Sequence, residues 1–541
     1  MKKLSLVLLA LLLCLSLVGC SGGGGGNTPS GGDTPAKKTI LANVGFDPDT
    51  FDPQASNVME NAIVVQQMYS GLMRENPDGE FVLDLAAELP TISDDGLVYT
   101  FKIKENANFA DGSPVTAEDV KYSWTRALDP NNAFDYAYQL YYIKNGEAYN
   151  AGEATADDLG LKVIDAKTLE VTLERPTPYF TGLTAFCTLL VISKDFAEKQ
   201  ATYGADLDSS LASGPFVPVE FNKGQYVRYE KNQNYWDKDS VKVDELYIYA
   251  VSESATEITM YETGALDMTY MTMSNADIKR YQNEGTLKYW SSANTRYIMV
   301  NNEKSPMNDP KVRKALSLAL DRKSFVDNVI IAAVTAEGFV SNDMPAPDGS
   351  GVFTPENFLN DTPNVEEAKK LLAEAGYPDG AGWPEGVSIV YTTNETNKLQ
   401  CEALVEMWRT NLGISITAQN VEGTVRRDLK RSGDYYMSWD GWTTDYMDPY
   451  SFMEILITGN IYNQGRYSSA EYDALVAEAA NSNDQKVRNE KMAAAEKVAM
   501  DEMGAIPVYN SIKGYLESDK ISGVVCSQLG TWDFKWADKA E

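Results

Sequence analysis

The chain has 541 residues, 43% of them hydrophobic and 11% aromatic, with 78 Asp and Glu against 47 Lys and Arg. A net charge of −31 repels nucleic acid and favours solubility, but does not forbid cationic or zwitterionic ligands. Histidine is absent, which excludes Ser-His-Asp and Cys-His catalysis and His-ligated zinc sites.

The opening stretch, "MKKLSLVLLALLLCLSLVGC", places Lys2 and Lys3 before an apolar run from Leu4 to Leu17 that is short for a transmembrane anchor. The run ends on a small residue followed by Cys20. This resembles the lipobox of bacterial lipoproteins, in which the cysteine is diacylated and becomes the new N-terminus; a membrane anchor is the alternative. Residues 1–20 are thus expected to be a lipoprotein signal peptide. Residues 21–37, Gly/Ser-rich with Pro, read as a flexible tether. The remaining length implies more than one lobe. Cys187, Cys401 and Cys526 are widely spaced and form no CxxC, so buried free thiols are expected rather than a metal cluster.

Strands and helices then alternate, which argues α/β or α+β. "VYTFKIK" (98–104) alternates, with Tyr99, Phe101 and Ile103 on one face. "TAEDVKYSWTRAL" begins at Thr116 with Asp119 in the capping-box position. "LKVIDAKTLEVTLE" (161–174) reads as a hairpin, and "QYVRYEKN" and "ELYIYAV" as further strands. In "DPKVRKALSLALDR", Asp309 can cap and Pro310 suits the first turn, with Val312, Ala315, Leu316, Ala319 and Leu320 on one stripe. "NVEEAKKLLAEAG" has Asn364 as cap, Glu367 three residues on and Gly376 as the stop. Further helices are expected at about 398–411, 469–480 and 486–502.

Between them lies "GWTTDYMDPYSF" (441–452). Two carboxylates, Asp445 and Asp448, sit among Trp442, Tyr446, Tyr450 and Phe452, and the nearest downstream base is Arg466. A carboxylate in such surroundings is costly to desolvate unless a cation meets it.

Several stretches in order resemble one family: "GFDPDTFDP" at Gly45, "YSGL" at Tyr69, "YTFKIKENANFADGSPVTAEDVKYSWTRALDP" at Tyr99, "SGPF" at Ser213, "NQNYW" at Asn232, "PMNDPKVRKALSLALDR" at Pro306, "LLAEAGYPDG" at Leu371, "GWTTDYMDPYSF" and "IPVY" at Ile506. Together, behind a lipobox, they are similar to the solute-binding proteins of oligopeptide and dipeptide ABC importers. The resemblance implies an α/β, two-lobed periplasmic-binding-protein-like clamshell with an extra domain inserted in the first lobe and a hinge between the lobes. Its expected parts are lobe I at 38–68, 193–297 and 510–541, the extra domain at 69–192, and lobe II at 298–509. It also implies a lipid-anchored extracytoplasmic receptor, acting as a monomer without cofactor or catalysis. Such a receptor delivers short peptides to a membrane permease driven by a cytoplasmic ATPase. Other solutes (nickel chelate, opine, sugar, a signalling peptide) on the same fold are the alternative, and a carboxylate-based hydrolase a remote one.

By the same resemblance Asp445 pairs with the peptide's α-ammonium, and Trp442 and Thr443 belong to the same segment. A helix-capping role or a buried surface pair is the alternative for Asp445, and Asp448 is expected to cap or turn the helix after it. Tyr136 and Tyr509 match aromatic positions near the family's ligand, with core packing as the alternative, and the loop around Asn57 and Met59 is expected to offer backbone contacts. Trp439 stands where enterobacterial-type members carry an arginine for the peptide's C-terminus, and Thr443 where they carry a cysteine. The carboxylate end is therefore left to Arg426, Arg427, Arg431 or solvent.

Overall fold

The structure is a computed structural model and describes residues 37–540 apart from 331, 354 and 355. The expected signal peptide, Cys20 and the tether up to residue 36 lie outside the described residues.

Three main sheets organise the chain. The first has four strands in the order Thr39–Asn43, Glu245–Tyr249, Tyr226–Lys231, Phe216–Asn222, and its first pair is parallel. The second has the order Thr91–Ile92, Val98–Lys102, Thr168–Thr172, Leu161–Asp165 and is antiparallel throughout. The third has seven strands and mixed direction, with Met437–Thr443 antiparallel to Asn294–Val300 and parallel to Ser388–Thr392.

Local chemistry accounts for the elements. Tyr99 and Phe101 are buried, as strand alternation requires, while Lys102 is exposed. Thr116 and Asp119 form a complete capping box at the start of Ala117–Leu128. Asp309 accepts from the Lys311 N–H with Pro310 in the first turn, and Asn364 accepts from the Glu367 N–H. The three helices expected towards the C-terminal half run over Glu395–Leu412, Ala470–Ala480 and Gln485–Asp501.

Two features connect distant parts of the chain. Arg74, buried, pairs with Asp84 at 2.8 Å and with Asp533, while Gln67 donates to the Trp532 carbonyl and accepts from the Phe534 N–H. These bonds tie the early chain to its last residues. The strand Ile506–Tyr515 is long enough to pair first with Lys288–Ser291 (Lys288 opposite Tyr515) and then with Asn294–Val300 (Arg296 opposite Tyr509). The chain thus enters the third sheet and leaves it along one antiparallel pair. Hydrophobic residues on either side of that crossing belong to different buried clusters, one around Ile40, Tyr229 and Trp532, another around Ile298, Trp408 and Val508. Cys187 and Cys401 are buried free thiols; Cys526 is free but only half-buried, because it lies on a two-residue strand beside a cavity.

Candidate ligand-binding site

The loop from Thr444 to Pro449 follows directly on a central strand of the seven-stranded sheet. Ser451 organises it: its Oγ accepts from the Asp445 N–H at 3.1 Å and from Trp442 Nε1 at 3.4 Å. The Asp445 backbone is therefore satisfied from within.

The two carboxylates of the loop have different environments. Asp448 Oδ1 accepts from the Tyr450 N–H at 2.9 Å, turning the chain into Tyr450–Met453. Its Oδ2 pairs with fully buried Arg488 at 2.6 Å. Asp445 has no ion pair among the described residues, although it is half-buried. Burial raises its pKa to about 6, against hydrogen bonding from Tyr138 that pulls it down. Nearby Glu454, half-buried and accepting from the Tyr446 hydroxyl at 2.9 Å, is pushed up to about 7 by desolvation.

Asp445 lines a cavity of about 240 Å³. The segment from Ser56 to Met59 lines the same cavity and enters the helix Met59–Gln66 with no side chain capping its first turn. Uncapped first-turn N–H groups are donors that an incoming carbonyl can use. Tyr136, tilted against Phe186 at 5.8 Å, and Thr443 also line this cavity. Met59 lies over Gly530, whose φ of +97° and missing Cβ leave room for its thioether.

Asn57, Met59, Tyr136, Thr443 and Asp445 thus meet at one cavity, although they come from three distant parts of the chain. Trp442 and Tyr509 do not line it. Trp442 packs on Tyr462, with ring centroids 5.4 Å apart, and steadies the loop through Ser451. Tyr509 is 4% exposed and packs between Phe325 and Trp439, which is the core-packing alternative. Arg426 is engaged by the Trp439 carbonyl and by Asp440, which Lys430 also meets, and neither Arg427 nor Arg431 lines the cavity.

Sequence reasoning missed Glu75 and the C-terminal wall, Val525 to Asp533. No local pattern marks these residues, because Glu75 and Ser527 become neighbours only through a hydrogen bond across 452 positions. Cys187 was read only as a buried thiol. It lines the cavity too, and burial pushes its thiol up to about 12, which disfavours the thiolate.

A family model described as bacterial extracellular solute-binding proteins, family 5 Middle, matches residues 80–464. The chain belongs to this family. It is 33% identical to the oligopeptide-binding protein OppA of Bacillus subtilis over 99% of both chains. Among solved structures, an unliganded open form of the murein tripeptide-binding protein MppA gives a TM-score of 0.83 at 27% identity, covering 93% of this chain and 98% of that one. Listeria monocytogenes OppA bound to peptide gives 0.70 at 30% identity, covering 94% and 100%. The fold is accordingly the two-lobed α/β clamshell of these binding proteins. Among the described residues, no helix is long and apolar enough to cross a membrane.

Proposed function

We propose that this chain is an extracytoplasmic receptor that binds short peptides between its lobes and passes them to an ABC import permease. The observation that carries the reading is Asp445, a desolvated carboxylate facing a cavity, with no cation of its own among the described residues. The α-ammonium of a peptide supplies that cation. The uncapped start of Met59–Gln66 supplies donors to the peptide backbone whatever its sequence, as strand-like recognition requires. Binding of this kind needs no nucleophile, and the chain is read as a receptor without catalytic activity.

The antiparallel crossing of Lys288–Val300 with Ile506–Tyr515 is read as the hinge, with lobe II between 298 and 509 and the extra domain at 69–192. A likeness of 0.83 to an unliganded open form, against 0.70 to a more identical peptide-bound relative, supports reading this structure as the open state. Cys20 is read as the lipid anchor, with membrane fractionation of Cys20→Ala as its check: the variant should be released folded.

Isothermal calorimetry with a free short peptide and its N-acetylated twin tests the reading. The free peptide should bind and the acetylated one bind far more weakly. Equal binding would return Asp445 to a role in the loop, and no binding of any peptide would remove the reading.

A further inference from the structure

The loop that carries Asp445 is held from two sides. The chain around it fixes its backbone: the Thr444 N–H donates to the Ala293 carbonyl at 3.0 Å, and the Asp448 N–H donates to the Tyr446 carbonyl at 2.8 Å. The middle of the loop is gripped by chain from far upstream. The Tyr446 side chain, only 3% exposed, lies against Tyr179 with ring centroids 4.3 Å and ring planes 4° apart. Tyr142 meets both rings edge-on, 5.7 Å from Tyr179 and 6.3 Å from Tyr446. Buried Arg488, the partner of Asp448, places its guanidinium 5.7 Å from the centre of the Tyr179 ring.

The place of this stack in the chain matters more than its size. Asp445 has no ion pair among the described residues to orient it, so its direction is set by its backbone. Its N–H is fixed by Ser451, and its carbonyl leads into Tyr446. Turning the Asp445 backbone would therefore pull the Tyr446 ring out of the stack, and a close-packed interior resists moving a ring of that size. Aromatic pairs of this kind also contribute beyond the area they bury. Tyr179 itself does not line the cavity that Asp445 faces.

We propose that Tyr179 is a positioning residue for the amino-terminus clamp: by stacking on Tyr446 it aims the Asp445 carboxylate into the cavity. The segment read as the extra domain thereby takes part in recognising the ammonium from behind the site. The inference rests on the peptide-receptor reading and goes beyond it, because Tyr179 acts without meeting the ligand.

Calorimetry with a free tetrapeptide and its N-acetylated twin tests it, since the ratio of the two affinities isolates the part of binding that depends on the ammonium. Tyr179→Ala should shrink that ratio roughly tenfold, weakening the free peptide and leaving the acetylated one within about twofold. Tyr179→Phe keeps the ring and should keep the wild-type ratio. Tyr179→Leu keeps buried volume without a planar face; it should lose the ratio as alanine does, and it replaces the alanine variant if that one does not fold. In an Asp445→Ala background, Tyr179→Ala should cost the free peptide nothing further. An unchanged ratio in the alanine and leucine variants overturns the proposal. So does an equal loss for both peptides, or an undiminished loss in the Asp445→Ala background, because Tyr179 would then support the fold alone; these results leave the receptor reading standing. A wild-type ratio of one overturns the Asp445 clamp and this inference with it, and failure of both peptides to bind wild type overturns the receptor reading as well.

Discussion

Asp445 and Asp448 lie three residues apart in one loop, and the fold treats them oppositely. Asp448 is sealed against Arg488, a residue 0% exposed on the helix Gln485–Asp501, and its other oxygen turns the chain at Tyr450. Asp445 keeps its backbone satisfied by Ser451 and leaves its carboxylate facing a cavity, desolvated and without a base. The first arrangement is a structural pair, complete before any ligand arrives. The second is incomplete by itself, and that is the property expected of a group whose partner comes from outside.

Breaking the internal pair should have the largest effect. Arg488→Met strands Asp448 in the interior and should lower stability by about 3–5 kcal/mol, read as a drop in the denaturant midpoint. Asp445→Ala should leave stability unchanged or slightly raised, because it removes an unpaired desolvated charge. The contrast fails if the two variants unfold alike.

Affinity should show the reverse order. Asp445→Ala should weaken free-peptide binding by about 2–5 kcal/mol, roughly thirtyfold to several thousandfold. N-acetylating the peptide removes the same ion pair from the other side, so the two changes should be strongly non-additive in a calorimetric cycle. Additive losses would mean that Asp445 and the amino terminus do not meet.

The pH dependence sharpens the comparison with two opposite signs. Asp445 has a folded-state pKa of about 6, above the ordinary carboxylate value of about 3.9. The empty protein therefore binds an extra proton relative to the unfolded chain, and this contribution to stability is lost as pH rises through about 4 to 6. Peptide affinity should move the other way, falling by up to about tenfold per unit below pH 6, because only the carboxylate attracts an ammonium. Asp445→Asn should flatten both trends by the same group's share. Glu496, raised to about 7, titrates in wild type and variant alike, whereas Glu454, raised to about 7 in part by the Asp445 charge, should titrate lower in the variant. An unchanged affinity profile in the variant would assign the titration elsewhere.

The smallest effect belongs to Tyr138, whose hydrogen bonding lowers the Asp445 pKa. Tyr138→Phe should shift the midpoint of pH-dependent binding upward by a fraction of a unit and weaken affinity a few-fold near pH 6. A downward shift would contradict the assigned hydrogen bond.

Much of this molecule is readable residue by residue, wherever the cause is local. Thr116 and Asp119 cap a helix because a hydroxyl and a carboxylate three residues apart reach two orphan N–H groups. Tyr99 and Phe101 point inward because a strand has a period of two. The odd chemistry of "GWTTDYMDPYSF" was likewise visible: two acids among aromatics, without a nearby base. Which of the two would find a cation inside the protein was not. Arg488 lies 40 positions downstream, and only packing of the helix Gln485–Asp501 against Tyr450–Met453 brings it to Asp448. Tyr136 and Tyr509 looked equivalent as aromatics beside a ligand, yet one lines the cavity and the other is buried between Phe325 and Trp439. Glu75 and Ser527 carried no signal at all. By itself the sequence determined the elements, the family and the carboxylate loop, since caps, periodicity and desolvation act over a few residues. Tertiary structure alone decided which charges are paired and which walls share a cavity, because burial and ion pairing depend on distances in space that chain separation does not encode.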